Sequence, residues 1–252
     1  MKIVVIGGTG LIGSKVVTKL NEHGHEAVAA SPDTGVNSIT GEGLAEVMTR
    51  ANVLIDVSNA PAWEDSAVMD FFTTATTNLL AEAERAGVGH YVALSVVGTQ
   101  KLGESGYFRA KIAQEQLIVD SGLPYTIVHA TQFFEFLKQI AQAATQGDEV
   151  RLPPAQIQPI AAEDVAIAVG RTAAGEPHNG IVEVAGPEQY RLDELIRGIL
   201  AKRNDPRTVV TDDQAQYFGI TPTGGDLVPE FPDPMLGATH LKDWVAQQLA
   251  AA

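Results

Sequence analysis

Ile3-Val4-Val5-Ile6-Gly7-Gly8-Thr9-Gly10-Leu11-Ile12-Gly13 is the stretch that decides how this chain is read. Four consecutive apolar residues, all of them β-branched, describe a strand buried on both faces, as in a parallel sheet covered by helices. The glycines that follow are spaced Gly7-x-x-Gly10-x-x-Gly13 and open a segment, about 11–23, with apolar residues at helical spacing, which puts Leu11 and Ile12 in its first turn. Gly7 permits a tight turn, Gly10 lets the backbone approach a pyrophosphate, and Gly13 allows close packing of helix on strand. N–H groups at a helix N-terminus attract phosphate, so Thr9, Leu11 and Ile12 join the three glycines as candidate contacts for a dinucleotide.

Outward from this turn the pattern repeats. Further apolar strands are expected at about 26–30, 53–57, 90–95 and 124–129, with helical stretches at about 66–86 and 107–121 between them. Near Gly147 the texture changes, and Pro153-Pro154, Pro159, Gly186-Pro187 and the run from Pro222 to Pro234 break the chain into shorter pieces. Helices are still expected at about 162–173, 191–203 and 236–250. The alternation predicts an α/β fold: one doubly wound parallel sheet of Rossmann type spanning 1–252, with a smaller C-terminal substrate lobe drawn mainly from about 150–252.

Charge and composition narrow the partners. Lys and Arg number 17 against 31 Asp and Glu, a formal net charge of −14, so the surface field repels nucleic acid and anionic membranes. An anionic dinucleotide then needs local attraction from backbone N–H groups. The chain has no cysteine, and its six histidines are scattered without metal-ligand spacing, so neither a thiolate site nor a metal is expected. The apolar run after Met1-Lys2 is too short for a signal-peptide core or a membrane span, which predicts a cytoplasmic protein.

Dinucleotide sites read the adenosine ribose at the end of the second strand, where an acidic side chain favours NAD and a basic one NADP. That region is Ala29-Ala30-Ser31-Pro32-Asp33. Ser31 is suited to a 2′-phosphate, but no Arg or Lys follows and Asp33 comes late for a ribose contact, so NAD and NADP both stay open. Ser58, Asn59 and Ala60, just beyond the third strand, form a further candidate contact zone, and Trp63 is a candidate wall of the same cleft. Gln132 and Phe133 follow the strand that ends near His129 and are candidates for a substrate pocket. Finally, Tyr107 and Lys111 lie at i and i+4 on one face of a predicted helix, with Ser95 at the end of the strand before it.

With Gly7-x-x-Gly10-x-x-Gly13, Leu94-Ser95-Val96-Val97-Gly98, Tyr107-x-x-x-Lys111, Pro124-Tyr125-Thr126-Ile127-Val128 and Thr131-Gln132-Phe133-Phe134, the chain resembles the short-chain dehydrogenase/reductase superfamily, and within it the atypical NmrA-like branch. The resemblance implies an NAD(P)-dependent oxidoreductase acting on a carbonyl or quinone-like small molecule, aromatic substrates included. In that reading Tyr107 donates the proton, Lys111 holds the nicotinamide ribose and tunes the phenol, and Ser95 orients the carbonyl oxygen. The helix asparagine of fuller active sites has no in-register counterpart, Asn78 lying in that helix but off register. Two other functions stay compatible with the residues: a non-catalytic NAD(P)-sensing regulator, and a tailoring enzyme of aromatic metabolites such as an oxygenase.

Overall fold

The computed structural model describes residues 1–250; Ala251 and Ala252, the last two positions of the expected lobe, lie outside the described residues. The chain runs β1 (Lys2–Ile6), α1 (Gly13–Glu22), β2 (Glu26–Ala30), α2 (Leu44–Met48), β3 (Val53–Asp56), α3 (Asp65–Ala86), β4 (His90–Val96), α4 (Gly106–Asp120) and β5 (Tyr125–Ala130). It continues through α5 (Leu137–Ala143), β6 (Thr145–Gln146), β7 (Glu149–Leu152), β8 (Gln156–Ile157), α6 (Ala162–Ala174) and β9 (Gly180–Ala185). The last elements are β10 (Tyr190–Arg191), α7 (Leu192–Lys202), β11 (Thr208–Thr211), β12 (Met235–Leu236) and α8 (Leu241–Ala250).

Seven strands form one parallel sheet in the order β12-β9-β5-β4-β3-β1-β2, flanked by helices on both faces. Strand alternation divides the core between those faces. Ile3, Val5, Val53, Ile55, Val92 and Val128 pack with residues of α1 and α6, whereas Val4, Ile6, Leu54, Tyr91, Ala93 and Ile127 pack toward α2, α3 and α4. The interior strands are therefore predominantly apolar, because both of their faces are covered, and the polar residues they do carry, such as Asp56, His90, Ser95 and His129, are buried. A third cluster, built on Leu137, Ile140, Leu152, Ile157, Leu192, Ile196 and Leu241, gathers the elements after β5. Two small sheets, β8 with β10 and β6 with β7 and β11, belong to that part of the chain.

The five expected strands form, with β3 ending at Asp56 and β4 and β5 extending to Val96 and Ala130. Three expectations are corrected. Helix α1 starts at Gly13, so Leu11 lies in the turn and Ile12 caps the helix rather than sitting within it. The helix expected from 236 starts at Leu241, because Met235 and Leu236 instead pair with Val184 and Ala185 of β9. Strands β9 and β12, unforeseen, extend the sheet past β5; their mixed, partly exposed composition gives a weaker pattern than the interior strands. No helix among the described residues is long and apolar enough to cross a membrane.

The glycine turn is set by contacts between main chains. Gly7 has a φ of +75°, and a Cβ on it would come within 2.9 Å of the Ser58 backbone. A Cβ on Gly8 would come within 2.6 Å of Ala29 Cα, and one on Gly13 would lie inside the van der Waals envelope of the Gly7 carbonyl. Backbone cannot yield as a flexible side chain can. Gly13→Ala should therefore destabilise the fold by about 1–3 kcal/mol, the usual range for overpacking. Gly198→Ala is the contrast, since a Cβ there meets nothing within 4 Å in the middle of α7 and helix propensity favours alanine. Urea unfolding of the two variants checks this: Gly13→Ala must lose stability while Gly198→Ala holds or gains it.

Candidate active site

In an open parallel sheet the ligand crevice lies outside the carboxyl ends of the strands where their order reverses. Here β1 is followed in space by β2 on one side and β3 on the other, so the crevice opens between the ends of β1 and β3. The main chain of Gly7 packs on that of Ser58 there, which brings the glycine turn beside the Ser58-Asn59-Ala60 segment. The N–H groups of Gly7 and Gly10 are used internally, donating to the carbonyls of Ala30 at 2.9 Å and Gly7 at 3.0 Å. Those of Thr9, Leu11 and Ile12 have no acceptor among the described residues and stand at the start of α1. Free donors at a helix N-terminus are an anion site. A Cβ on Gly10 would meet only the Gly7 carbonyl, at 3.3 Å, so the chain's own packing makes a milder demand for glycine there than at Gly13. These residues fit a dinucleotide pyrophosphate.

Ser31 directly follows β2, buried and with its hydroxyl accepting a 3.1 Å hydrogen bond from Thr9 Oγ1. A short 3-10 turn, Pro32–Thr34, follows and carries Asp33 past the strand end. Nothing in that turn supplies a cation.

Beneath the crevice lies a buried polar network. The Asp56 carboxylate, 1% exposed at the end of β3, accepts from Ser58 N at 3.0 Å, Ser58 Oγ at 2.6 Å and Gln114 Nε2 at 3.0 Å. It thereby ties the Ser58 turn to α4. Lys111 Nζ donates to the Leu94 carbonyl at 2.9 Å and to Gln114 Oε1, and sits 4.5 Å from the centre of the Phe72 ring. Burial lowers the Lys111 pKa to about 8, against the opposing charges of Asp56 and Glu115. Ser95 Oγ donates to Glu115 Oε1, which also bonds His129 Nε2 at 3.0 Å. Although burial opposes its charge, the bonds to His129 and Ser95 and the nearby Lys111 hold the Glu115 carboxyl below the usual range.

Tyr107 occupies the open side of α4. Its ring centroid lies 6.1 Å from Trp63 and, edge-on, 6.1 Å from Phe72, the same ring that Lys111 approaches. Its hydroxyl reaches only Asn59 Oδ1, at a long 3.4 Å, and burial raises its pKa to about 12. Tyr107 and Lys111 thus flank one phenylalanine, while the Ser95 hydroxyl is directed to Glu115. Asn78 is turned from this region and donates to the carbonyls of Ser38 and Ile39. Gln132 is 7% exposed, and both polar atoms of its amide lack a hydrogen-bond partner. The phenol of Tyr217 approaches that amide, and also Tyr107, without the geometry of a hydrogen bond. Phe133 stacks on Phe136 at 5.3 Å and packs toward the α1 and α6 cluster. Trp63, 65% exposed, stacks with Phe218 at 6.3 Å. A hollow of about 220 Å³ bordered by Ile140, Ala144, Leu152, Gln216, Tyr217 and Phe218 adjoins this cluster.

Asp56, Gln114, Glu115, Tyr217 and Phe218 were not foreseen. An aspartate closing an apolar strand was a signal available for Asp56; the others depend on tertiary placement.

A crevice with free N–H donors at a β1–α1 glycine turn defines a dinucleotide-binding α/β protein. A family model described as NAD(P)H-binding matches residues 7–171, and the chain belongs to that family. Its cofactor is a nicotinamide dinucleotide. The NAD(P)H azoreductase of Xenophilus azovorans is 28% identical over 217 residues, 81% of this chain and 74% of that protein. The photosystem II assembly factor Ycf39 of Cyanophora paradoxa is 26% identical over 151 residues, 54% of this chain, and the match spans about half of that relative's length (47%). Among solved structures, MoeE5 in complex with UDP-glucose and NAD has a TM-score of 0.78 at 16% identity, covering 99% of this chain and 98% of that one. The dTDP-4-dehydrorhamnose reductase of Bacillus anthracis, in complex with NADP, has a TM-score of 0.74 at 13% identity, covering 100% and 98%. These structural likenesses carry the fold, in agreement with the short-chain dehydrogenase/reductase features of the motifs.

A bulky side chain at Gly10 should block the pyrophosphate. Titration of NADH fluorescence against Gly10→Val should show binding lost, with circular dichroism unchanged. Unaltered affinity in a folded variant would remove the turn from the cofactor site.

Proposed function

We propose that this chain is an NAD(P)-dependent oxidoreductase of the atypical short-chain dehydrogenase/reductase kind, reducing a carbonyl or quinone-like small molecule with Tyr107 as the proton donor. The observation that carries the reading is a loosely held, protonated phenol in a cleft beside a dinucleotide crevice. In the proposal, Thr9 to Gly13 hold the pyrophosphate, Ser31 faces the adenosine ribose, and Ser58, Asn59 and Ala60 line the opposite wall. The bound dinucleotide supplies the hydride.

Tyr107 does the complementary work. With its pKa raised to about 12, the phenol keeps its proton across the neutral range and acts as acid toward an oxygen that gains negative charge. Its weak bond to Asn59 is readily exchanged for one to substrate. Lys111 sets the field at this end of α4; its ammonium is anchored on Leu94 and Gln114, so any ribose contact requires one of its donors to turn outward. Ser95, bonded to Glu115, acts as a positioning residue for the ends of β4 and β5. Trp63, Gln132 and Phe133 remain the proposed substrate side of the cleft.

A specific observation favours a second reading. The internal bonds of Ser95 and Lys111 suit a dinucleotide sensor that binds cofactor without turnover.

Tyr107→Phe removes one hydroxyl and keeps the ring, so NADH affinity should survive while single-turnover hydride transfer to a reducible quinone falls about 100-fold or more. Near-full transfer in that variant would rule out the proton-donor role. Independently, Lys111 is cationic below about pH 8 and neutral above it. The quantity kcat/KM should therefore decline as pH rises through about 8, and Lys111→Met should flatten the profile at a lower level. A wild-type profile that stays level from neutral pH to well above 8 contradicts the role given to Lys111.

A further inference from the structure

Three polar side chains from separate parts of the chain, Tyr107, Gln132 and Tyr217, gather at the cleft, and Tyr217 neighbours the Gln132 amide closely enough to interact with it without completing a well-formed hydrogen bond. Gln132 is 93% buried by its 7% exposure, and neither its amide oxygen nor its nitrogen has a partner. A buried unpaired amide is costly, and native proteins keep few of them. Tyr217 is 6% exposed, and burial pushes its pKa up, with the neighbouring Tyr107 adding to the effect. Both phenols therefore stay protonated at neutral pH and offer O–H donors.

The turn that carries Tyr217 is strained toward this cleft. Tyr217 and Ile220 exchange backbone hydrogen bonds at 2.6 and 3.2 Å, closing a tight hairpin whose central residues are Phe218 and Gly219. Both central residues have positive φ, +49° for Phe218 and +86° for Gly219. Such turns prefer asparagine or glycine at the first central position, and a bulky aromatic there is an outlier. The consequence is an exposed ring stacked on Trp63 at 6.3 Å, joining the two sides of the cleft.

Charge then discriminates among ligands. The segment 212–234 contains Asp212, Asp213, Asp226, Glu230 and Asp233 and no Lys, Arg or His. The segment 57–74 contains Glu64, Asp65 and Asp70 and likewise no cation. The cations on α4 and on the segment just before it are engaged: Lys101 with Glu230 at 2.9 Å, Arg109 with Asp65 at 2.7 Å, and Lys111 with Leu94 and Gln114. A diphosphate, carboxylate or sulfonate entering here would meet like charge and, from these segments, no free guanidinium or ammonium.

We infer that Tyr217 and Gln132, under the Trp63–Phe218 pair, form a recognition site for a planar conjugated ligand that carries acceptor oxygens and no anionic group, and that the site rejects nucleoside diphosphate sugars. The two phenols and the amide nitrogen supply donors to the oxygens, and the aromatic pair supplies the stacking surfaces. The inference deepens the reductase reading and rests on it for placing the ligand beside Tyr107.

The test is a binding measurement that needs no turnover. The chain has two tryptophans, so Trp244→Phe leaves Trp63 as the sole indole reporter. 1,4-Naphthoquinone, its 2-sulfonate and UDP-glucose are titrated separately in the presence of NAD+, which cannot reduce the quinone; the absence of cysteine removes thiol addition as an artefact. Calorimetry on the unmodified chain repeats the series with both tryptophans intact. The neutral quinone should quench Trp63 saturably, the sulfonate should bind at least tenfold more weakly, and UDP-glucose should not bind. Tyr217→Phe and Gln132→Leu should each weaken the quinone at least fivefold and leave NADH affinity unchanged. Equal or tighter binding of the sulfonate or UDP-glucose, no saturable quinone binding, or indifference to both substitutions overturns the inference. Failure of NADH to bind wild-type protein would instead overturn the reductase reading, and the two failures are read from separate titrations.

Discussion

Everything at the functional end of this molecule depends on main chain touching main chain where β1 turns into α1. Gly8 lies against β2, Gly7 against the Ser58 backbone after β3, and Gly13 against the Gly7 carbonyl, each at a separation that leaves no room for a side chain. This packing fixes three things together: the angle at which α1 leaves the sheet, the free N–H groups at its start, and the width of the crevice between the ends of β1 and β3. Gly10, by contrast, meets only one chain atom at 3.3 Å, and its missing side chain is better explained by the approach of a ligand.

A second layer holds the far wall of that crevice. Asp56 binds the Ser58 turn from below and joins it through Gln114 to Lys111 on α4, while Glu115, one residue further along, gathers Ser95 and His129 from β4 and β5. Four elements are thus cross-linked by buried hydrogen bonds to charged groups, which are stronger than neutral ones. The cost is that Lys111 sits in low dielectric with its pKa brought down to about 8. Tyr107, one helical turn earlier, is left outside this network, loosely bonded and facing the aromatic cleft.

How much of this was legible in the sequence follows from the range of the interactions involved. The glycine turn and the strands β1 to β5 were readable because a strand covered on both faces reads as a nearly continuous apolar run, and only close backbone contact demands glycine at those spacings. Strand β9 and the edge strand β12 escaped notice because partial exposure permits polar residues: β9 begins with half-exposed positions and β12 is exposed throughout. Tyr107 and Lys111 were visible as an i, i+4 pair, but the bond from Ser95 to Glu115 was not, since it joins β4 to a residue twenty positions later. Tyr217 and Phe218 were hidden most completely. A hairpin with phenylalanine at a left-handed position contradicts turn preference, and only the three-dimensional contact with Trp63 gives that choice a rationale.

In the proposed complex the nicotinamide dinucleotide lies across the crevice between β1 and β3 and extends along the Ser58 wall to the phenol of Tyr107. A crystal structure of the NAD+ complex tests this placement most directly. The pyrophosphate should lie on the N–H groups of Thr9, Leu11 and Ile12, and the reactive face of the nicotinamide ring should open toward Tyr107 and Gln132. A pyrophosphate seated away from the glycine turn, or a nicotinamide ring directed away from Tyr107, would contradict it.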